Sequence, residues 1–243
     1  MAKIQYVILN DIHFPYEATH AYNKALSMAK ALPRLRGIFL NGDVAEIESV
    51  SSHPKSQQSQ TKLLEELGYI NEKLDELQKM FKKVPVHYIC GNHEHRIYRY
   101  VRDVAPQLWG MLDCPKLLGF DRRPLWTFHE YGPTQLVKVG KCKDLYCRHE
   151  PLAGGANHAA GTAIKSMVSI IYGHTHVYQL STHKKFGPKP KLVTAMSNGY
   201  LGDINNSVFD YRGARDNWVN GFSIIECDEK TGEYEIRFVN LEK

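Results

Sequence analysis

The sequence of 243 residues contains no apolar run long enough to cross a membrane, which excludes a membrane-spanning protein. Its first residues, MAKIQYVILND, lack the cleavage pattern of a secretory signal peptide. The 18 glycines and 11 prolines follow no repeating period, so collagen-like and low-complexity proteins are also excluded. These absences predict a cytoplasmic protein that does not interact with membranes.

Cysteine is scarce, and its spacing matches neither a disulfide framework nor a zinc site. The five cysteines are Cys90, Cys114, Cys142, Cys147 and Cys227. Cys142 and Cys147 form the closest pair, but the second pair that a zinc knuckle needs is missing. We therefore expect reduced and mostly buried thiols.

Charge of one sign is not in large excess. Lysine and arginine total 31 against 26 aspartates and glutamates, which gives a formal charge of +5. An excess of this size suits an anionic substrate. We expect it to be spread over the chain rather than concentrated in the long basic groove that a DNA nuclease requires.

What is present is an alternation of strand and helix patterns. Three strand-like runs in the first hundred residues (KIQYVILN, LRGIFLN and KVPVHYIC) alternate with three helical patterns, and the rest is rich in strands. This order predicts an α/β protein with a parallel or mixed sheet. Residues 44–60 are polar and irregular, so we expect them to be exposed. With no internal repeat and no long linker, residues 1–243 are predicted to form one domain.

Residue types that bind divalent metals follow several predicted strands. They are Asp11, His13, Asp43, Asn92, His93, His149, His174 and His176. Ligands bind at the carboxyl ends of strands in α/β sheets, so these side chains are expected to converge. Glycines precede Asp43, Asn92 and His174, and a glycine allows the close backbone approach that such a site needs.

The mixture of ligand types narrows the choice of metal. Imidazoles with carboxylates and one amide oxygen suit Mn, Fe, Zn or Ni better than Ca or Mg, which prefer oxygen alone. The number of ligands is sufficient for two ions. A carboxylate can bridge two metals about 3.5–4 Å apart, the separation used in displacement at phosphorus.

The motifs DIH, GD, GNHE, a lone histidine and GHTH, in this order, resemble the calcineurin-like metallophosphoesterase superfamily. The C-terminal stretch SNGYLGDINNSVFDYRGARDNWVNGFSIIE resembles small members from phages and bacteria, which implies the cytoplasm of a bacterium or a phage-infected host cell. The resemblance also implies a two-sheet αββα sandwich of mixed strands, flanked by helices, with two divalent metals at the strand ends. Of the ions that the ligand types allow, we expect Mn.

Carried over position by position, the resemblance implies a role for each residue. Asp11, His13 and His176 correspond to ligands of one metal, and Asn92, His149 and His174 to ligands of the other. Asp43 corresponds to the bridging carboxylate and His93 to a catalytic histidine that is not a ligand. The implied reaction is attack on phosphorus by a hydroxide bridging the metals, with His93 assisting.

Some assignments leave alternatives open. His129 and His158 compete with His149, although we expect His158 to be a surface residue at a helix start. Arg96 and Arg99 follow GNHE on a predicted helix and are weak candidates for binding a substrate phosphate. Glu94 either orients an imidazole or is exposed.

The expected activity is metal-dependent hydrolysis of a phosphodiester or phosphomonoester, with a small, nucleotide or nucleic-acid-derived substrate. NDIHFP and GDVAEIE lack the arginine and second aspartate of Ser/Thr protein phosphatases, which argues against that class. Two alternatives are a metal-dependent DNA nuclease or exonuclease and a catalytically silent binding module of the same fold.

Overall fold

The structure is a computed structural model that describes residues 3–52, 62–188, 190–209 and 215–242. The strands of these ranges are β1 (Ile4–Leu9), β2 (Leu35–Asn41), β3 (Val86–Ile89), β4 (Trp126–His129), β5 (Val137–Lys138), β6 (Leu145–Cys147), β7 (Ser169–Tyr172), β8 (Tyr178–Lys185), β9 (Lys191–Asn198), β10 (Gly221–Cys227) and β11 (Tyr234–Asn240). The α-helices are α1 (Thr19–Lys30), α2 (Leu63–Met80), α3 (Arg96–Asp103), α4 (Cys114–Leu117) and α5 (His158–Lys165).

The strands form two mixed sheets. The first has the order β11-β10-β1-β2-β3-β4, in which β1 to β4 are parallel neighbours and β10 and β11 are antiparallel. The second has the order β5-β6-β7-β9-β8, in which β6, β7 and β9 are parallel. Because β10 pairs directly with β1, strands from the N-terminal and C-terminal parts of the described chain lie side by side in the first sheet.

The alternation of side chains along β1 shows how the layers are built. Tyr6 and Ile8 belong to the apolar cluster between the two sheets, whereas Val7 and Leu9 belong to the cluster that packs against α1 and α2. Successive strand residues point to opposite faces, so an apolar run on both faces requires cover on both sides. Ala163 of α5 covers the second sheet. The layers are thus αββα, which confirms the predicted fold class.

Two local expectations differ from the structure. Residues 44–48 are buried, although their polar sequence predicted an exposed stretch, because two glutamates here bind partners inside the protein. Residues 49–51 are half-buried and residue 52 is exposed, whereas residues 53–60 lie outside the described part. The helix predicted after GNHE ends at Asp103, and Pro106 begins a separate 3-10 turn, since proline cannot continue a helix.

Two further expectations concern the cysteines and the membrane. All five cysteines are buried free thiols, as predicted. Among the described residues, none of the helices combines the length and the apolarity of a membrane span.

Candidate metal centre

The first cluster of candidate ligands combines the loop after β1 with the loop after β7. His13 Nε2 lies 3.1 Å from His176 Nε2, and His176 Nε2 lies 3.5 Å from Asp11 Oδ1. All three side chains are buried. Their ligand atoms lie within 4.8 Å of one another, a spacing that could hold one metal ion.

The second cluster draws its residues from the ends of β2, β3, β6 and β7. Asn92 Oδ1 lies 3.0 Å from His149 Nε2 and 2.9 Å from His174 Nδ1. Asp43 Oδ2 lies 3.1 Å from the same His149 nitrogen. The structure therefore brings together the four residues that the family resemblance implied for the second metal and its bridge.

Hydrogen bonds on the far side of the imidazoles fix which nitrogen faces each cluster. His13 Nδ1 lies 2.7 Å from Glu46 Oε2, and His149 Nδ1 lies 3.3 Å from the carbonyl oxygen of Asn41. An imidazole that donates from Nδ1 carries a lone pair on Nε2, the arrangement typical of metal-binding histidines. The Nε2 atoms of His13 and His176, 3.1 Å apart, require a proton or a cation between them. This donor set fits divalent metals.

Backbone conformation at the candidate centre is unusual. Seven described residues other than glycine have positive φ. Five of these are candidate ligands: Asp11, His13, Asp43, His174 and His176. Residues with side chains rarely adopt this region, and such strain concentrates at functional sites.

Three glycines leave room for the candidate ligands. A Cβ atom on Gly42 would lie 2.0 Å from His149 Nδ1, and one on Gly173 would lie 2.2 Å from Asp11 Oδ2. A Cβ atom on Gly91 would lie 2.2 Å from Asp43 Oδ1 and 2.3 Å from the Asp43 amide nitrogen. The glycines before Asp43, Asn92 and His174 thus allow close approach, as their positions predicted.

The buried charges of the centre balance one another. Burial raises the pKa of Asp43, but the imidazoles of His149 and His93 outweigh it and hold that pKa well below its usual range. Burial lowers the pKa of His149, but the Asp43 carboxylate outweighs it and raises the pKa to about 10. A cation that binds His149 Nε2 therefore displaces a proton, since only the neutral imidazole is a ligand.

His93 lies beside both clusters. Its Nε2 is 3.6 Å from Asp43 Oδ2, its Nδ1 is 2.9 Å from Glu46 Oε2, and its amide donates to Asp43 Oδ1 at 2.9 Å. Arg96 Nη2 lies 3.2 Å from His93 Nε2, while Arg96 Nη1 pairs with Glu46 at 2.7 Å. Arg96 is thus buried and holds other residues of the site. Arg96 and Arg99 both line a cavity of about 350 Å³.

Sequence reasoning missed Glu46. This buried carboxylate lies between His13, His93 and Arg96, and it could itself form a metal-binding group with the two histidines. Burial raises its pKa, but the imidazoles of His93 and His13 outweigh it and hold the pKa well below its usual range. Glu46 follows the GD motif by three residues, and that position was the only available signal.

Glu94 is buried and binds main chain rather than an imidazole. Its carboxylate accepts hydrogen bonds from the amides of Val44, Ala45 and Gly91 at 2.7–2.9 Å and from the Tyr88 hydroxyl at 2.9 Å. Neither alternative considered for Glu94 was therefore right. The residue ties the loop after β2 to the loop after β3.

The two competitors of His149 lie outside both clusters. His129 Nε2 lies 3.1 Å from His87 Nδ1 on the neighbouring strand. His158 Nδ1 lies 2.6 Å from the Tyr172 hydroxyl, and its side chain is buried. The expectation that His158 is a surface residue was wrong, because the start of α5 packs on β7.

Comparisons with known proteins identify one matching family and several solved structures of low sequence identity. Residues 4–178 match the family model of the calcineurin-like phosphoesterases. Comparison with curated proteins finds no significant match.

Among solved structures, three similar chains are Vps29 proteins. Vacuolar Protein Sorting 29 from Cryptosporidium parvum is 13% identical with a TM-score of 0.42, over 99% of this chain and 98% of that chain. Wild-type Vps29 complexed with Zn²⁺ from Entamoeba histolytica is 13% identical with a TM-score of 0.45, over 98% and 99%. Vps29 from Chaetomium thermophilum is 10% identical with a TM-score of 0.43, over 98% and 93%. TM-scores below 0.5 say nothing about activity. The family match, which spans most of the chain, shows that this protein belongs to the calcineurin-like phosphoesterases.

Proposed function

We propose that this protein is a dinuclear, metal-dependent hydrolase of phosphodiesters or phosphomonoesters. The supporting observation is the convergence of two ligand clusters beside Asp43, whose carboxylate interacts with histidines of both clusters. In this assignment one ion is held by Asp11, His13 and His176. The other is held by Asn92, His149 and His174, and Asp43 bridges the two.

Each group has a distinct part in the proposed reaction. Divalent ions, most often Mn, would supply Lewis acidity and lower the pKa of a water nucleophile. Glu46 holds His13 in the tautomer that turns Nε2 to the centre, and it orients His93 from the other side. His93 lies next to Asp43, and in the proposed reaction its Nε2 donates a proton or a hydrogen bond to a phosphoester oxygen after the substrate displaces the Arg96 guanidinium that contacts this nitrogen.

A panel of aryl phosphates tests the reaction and the metal together. Purified protein is expected to hydrolyse an aryl monoester or an aryl diester when supplied with Mn, Ni or Zn, and less well with Mg, because imidazole ligands favour the former ions. Chelation with EDTA should remove the activity. Absence of hydrolysis with every metal, despite stoichiometric metal binding, would overturn the proposal in favour of a binding module.

Replacing His93 by alanine separates chemistry from metal binding. We expect kcat to fall by about 10²–10⁴-fold, the usual contribution of general acid–base catalysis, while the metal content stays near that of the unaltered protein. Metal analysis of the purified variant and kcat measured on the better aryl substrate give the two readouts. His95→Ala, the neighbouring half-buried histidine, is the matched control and should retain activity. Loss of metal together with activity would identify His93 as a ligand.

A further inference from the structure

Residues 151–202 contain no aspartate or glutamate, and we call them the acid-free segment. Its five lysines are Lys165, Lys184, Lys185, Lys189 and Lys191. The other 26 lysines and arginines equal the 26 acidic residues in number, so the formal charge of +5 resides in this segment. The expectation that the positive charge is spread over the chain is therefore wrong.

The acid-free segment is part of the same structural unit as the candidate centre. It folds into α5 and strands β7 to β9 and contains both His174 and His176. Lys165 and Lys185 donate to main-chain carbonyls of the loop before α5 and of α5 itself. Carbonyl acceptors do not neutralise these ammonium charges, whereas Lys191 pairs with Asp144 at 2.9 Å.

A large cavity connects the segment with the centre. It has a volume of about 1080 Å³ and is lined by His174 at the centre and by Lys165 and Gln179 on α5 and β8. This volume is at the upper end of small-molecule sites. The carboxylates at its wall, Glu150 and Asp216, belong to other parts of the chain. The lining as a whole has two carboxylates against one lysine, so an anionic ligand is favoured only at the wall that α5 and β8 form, which contributes Lys165 and no acidic side chain.

The hairpin of β8 and β9 carries an exposed aromatic ring among its lysines. Phe186, at the end of β8, is fully exposed and follows Lys184 and Lys185 directly. At the other end of β8, Tyr178 lines the cavity and is 41% exposed, with one face of its ring stacked on Phe238. An exposed aromatic ring beside lysines, as Phe186 is, is a feature of surfaces that bind single-stranded nucleic acids, where bases stack on such rings.

We propose that the acid-free segment binds a single-stranded nucleic acid along α5 and the β8–β9 hairpin and leads its phosphodiester backbone to the metal centre. The binding of the strand does not depend on the proposed function. The conclusion that this strand is the natural substrate rests on it. A second copy of this chain is a poorer occupant, because the two hairpins would bring like charges together.

Strand binding is measured without hydrolysis. Full-length protein in EDTA is titrated into a fluorescein-labelled single-stranded DNA, and anisotropy is recorded between about 50 and 200 mM NaCl. The logarithm of the association constant should fall linearly with the logarithm of the salt concentration, with a slope of about −0.7 for each phosphate contact. Lys184→Glu/Lys185→Glu should weaken binding by more than about tenfold and flatten that slope by about 1.4. Phe186→Ala should weaken it by about fivefold or more through lost stacking.

The control has the same change of charge elsewhere. Lys82→Glu/Lys83→Glu alters two exposed lysines after α2 and should leave strand binding within about twofold of the original. Equal weakening by the two double variants, or no weakening by either, would overturn the inference. Lysine-dependent binding to phosphatidylglycerol vesicles without binding to DNA would also overturn it, in favour of a membrane surface. The aryl ester assay reports the proposed function separately, so each proposal can fail alone.

Discussion

Asp43→Asn is expected to reduce metal-dependent hydrolysis by well over 100-fold while the protein remains folded. Even groups that only orient a metal ligand contribute about 10–100-fold, and Asp43 is proposed to contact both ions. Asparagine preserves the shape of the side chain and an oxygen that can accept the amide hydrogen of His93. It also tolerates the positive φ of 46° at this position. The readouts are kcat with Mn, bound metal per chain, and the thermal unfolding temperature.

Asp144→Asn is the matched control for this variant. Asp144 also has positive φ, at 57°, but it lies on the loop before β6 and pairs with Lys191. The same substitution there should leave hydrolysis unchanged. Full activity of Asp43→Asn would refute the bridging role, and a variant that unfolds would show that the carboxylate is needed for the fold itself.

Gly91→Ala is expected to lower the free energy of unfolding by about 3 kcal/mol, near the upper end for overpacked interiors. The new Cβ atom would lie 2.3 Å from the main-chain nitrogen of Asp43, so a side-chain rotation cannot relieve the clash. For a chain of this size the melting temperature should fall by roughly 10 °C. The displaced Asp43 should also weaken metal binding. Thermal unfolding followed by circular dichroism, and metal analysis of the purified variant, measure the two effects.

Gly68→Ala provides the opposite expectation from the same chemical change. Gly68 lies inside α2, and a Cβ atom there meets nothing within 4 Å. Alanine should therefore raise the free energy of unfolding by about 0.5–1 kcal/mol, because glycine loses more chain entropy in a helix. If Gly91→Ala unfolds at the temperature of the unaltered protein, the loops after β2 and β3 are more adaptable than their packing indicates.

The position of the candidate ligands could be predicted because it follows from topology. Asp11, Asp43, Asn92, His149 and His174 each follow a strand, and parallel strands end at one edge. Helical and strand periodicity were sufficient to place those ends. The order of layers then followed from strands that are apolar on both faces.

The roles of Glu46 and Glu94 could not be predicted from spacing. Both are buried by contacts across the fold: Glu46 with Arg96 of α3, and Glu94 with main-chain amides of the loop after β2. In the sequence each looks like an ordinary surface glutamate, since partners 50 residues away leave no local pattern. The absence of acidic residues from 151–202 was visible in the sequence. Only the structure shows that this segment lines a cavity beside His174.

The left-handed backbone at Asp11, His13, Asp43, His174 and His176 has a consequence for the evolution of this protein. Each such residue carries strain of about 1–3 kcal/mol, which glycine would relieve. Replacing one of them by glycine removes this strain but leaves a buried charge partner unbalanced, as with His149 beside Asp43, so a gain in heat tolerance requires the loss of both partners. Under selection for thermal tolerance alone, paired ligands should therefore be lost together, and their retention indicates selection for the activity of the centre.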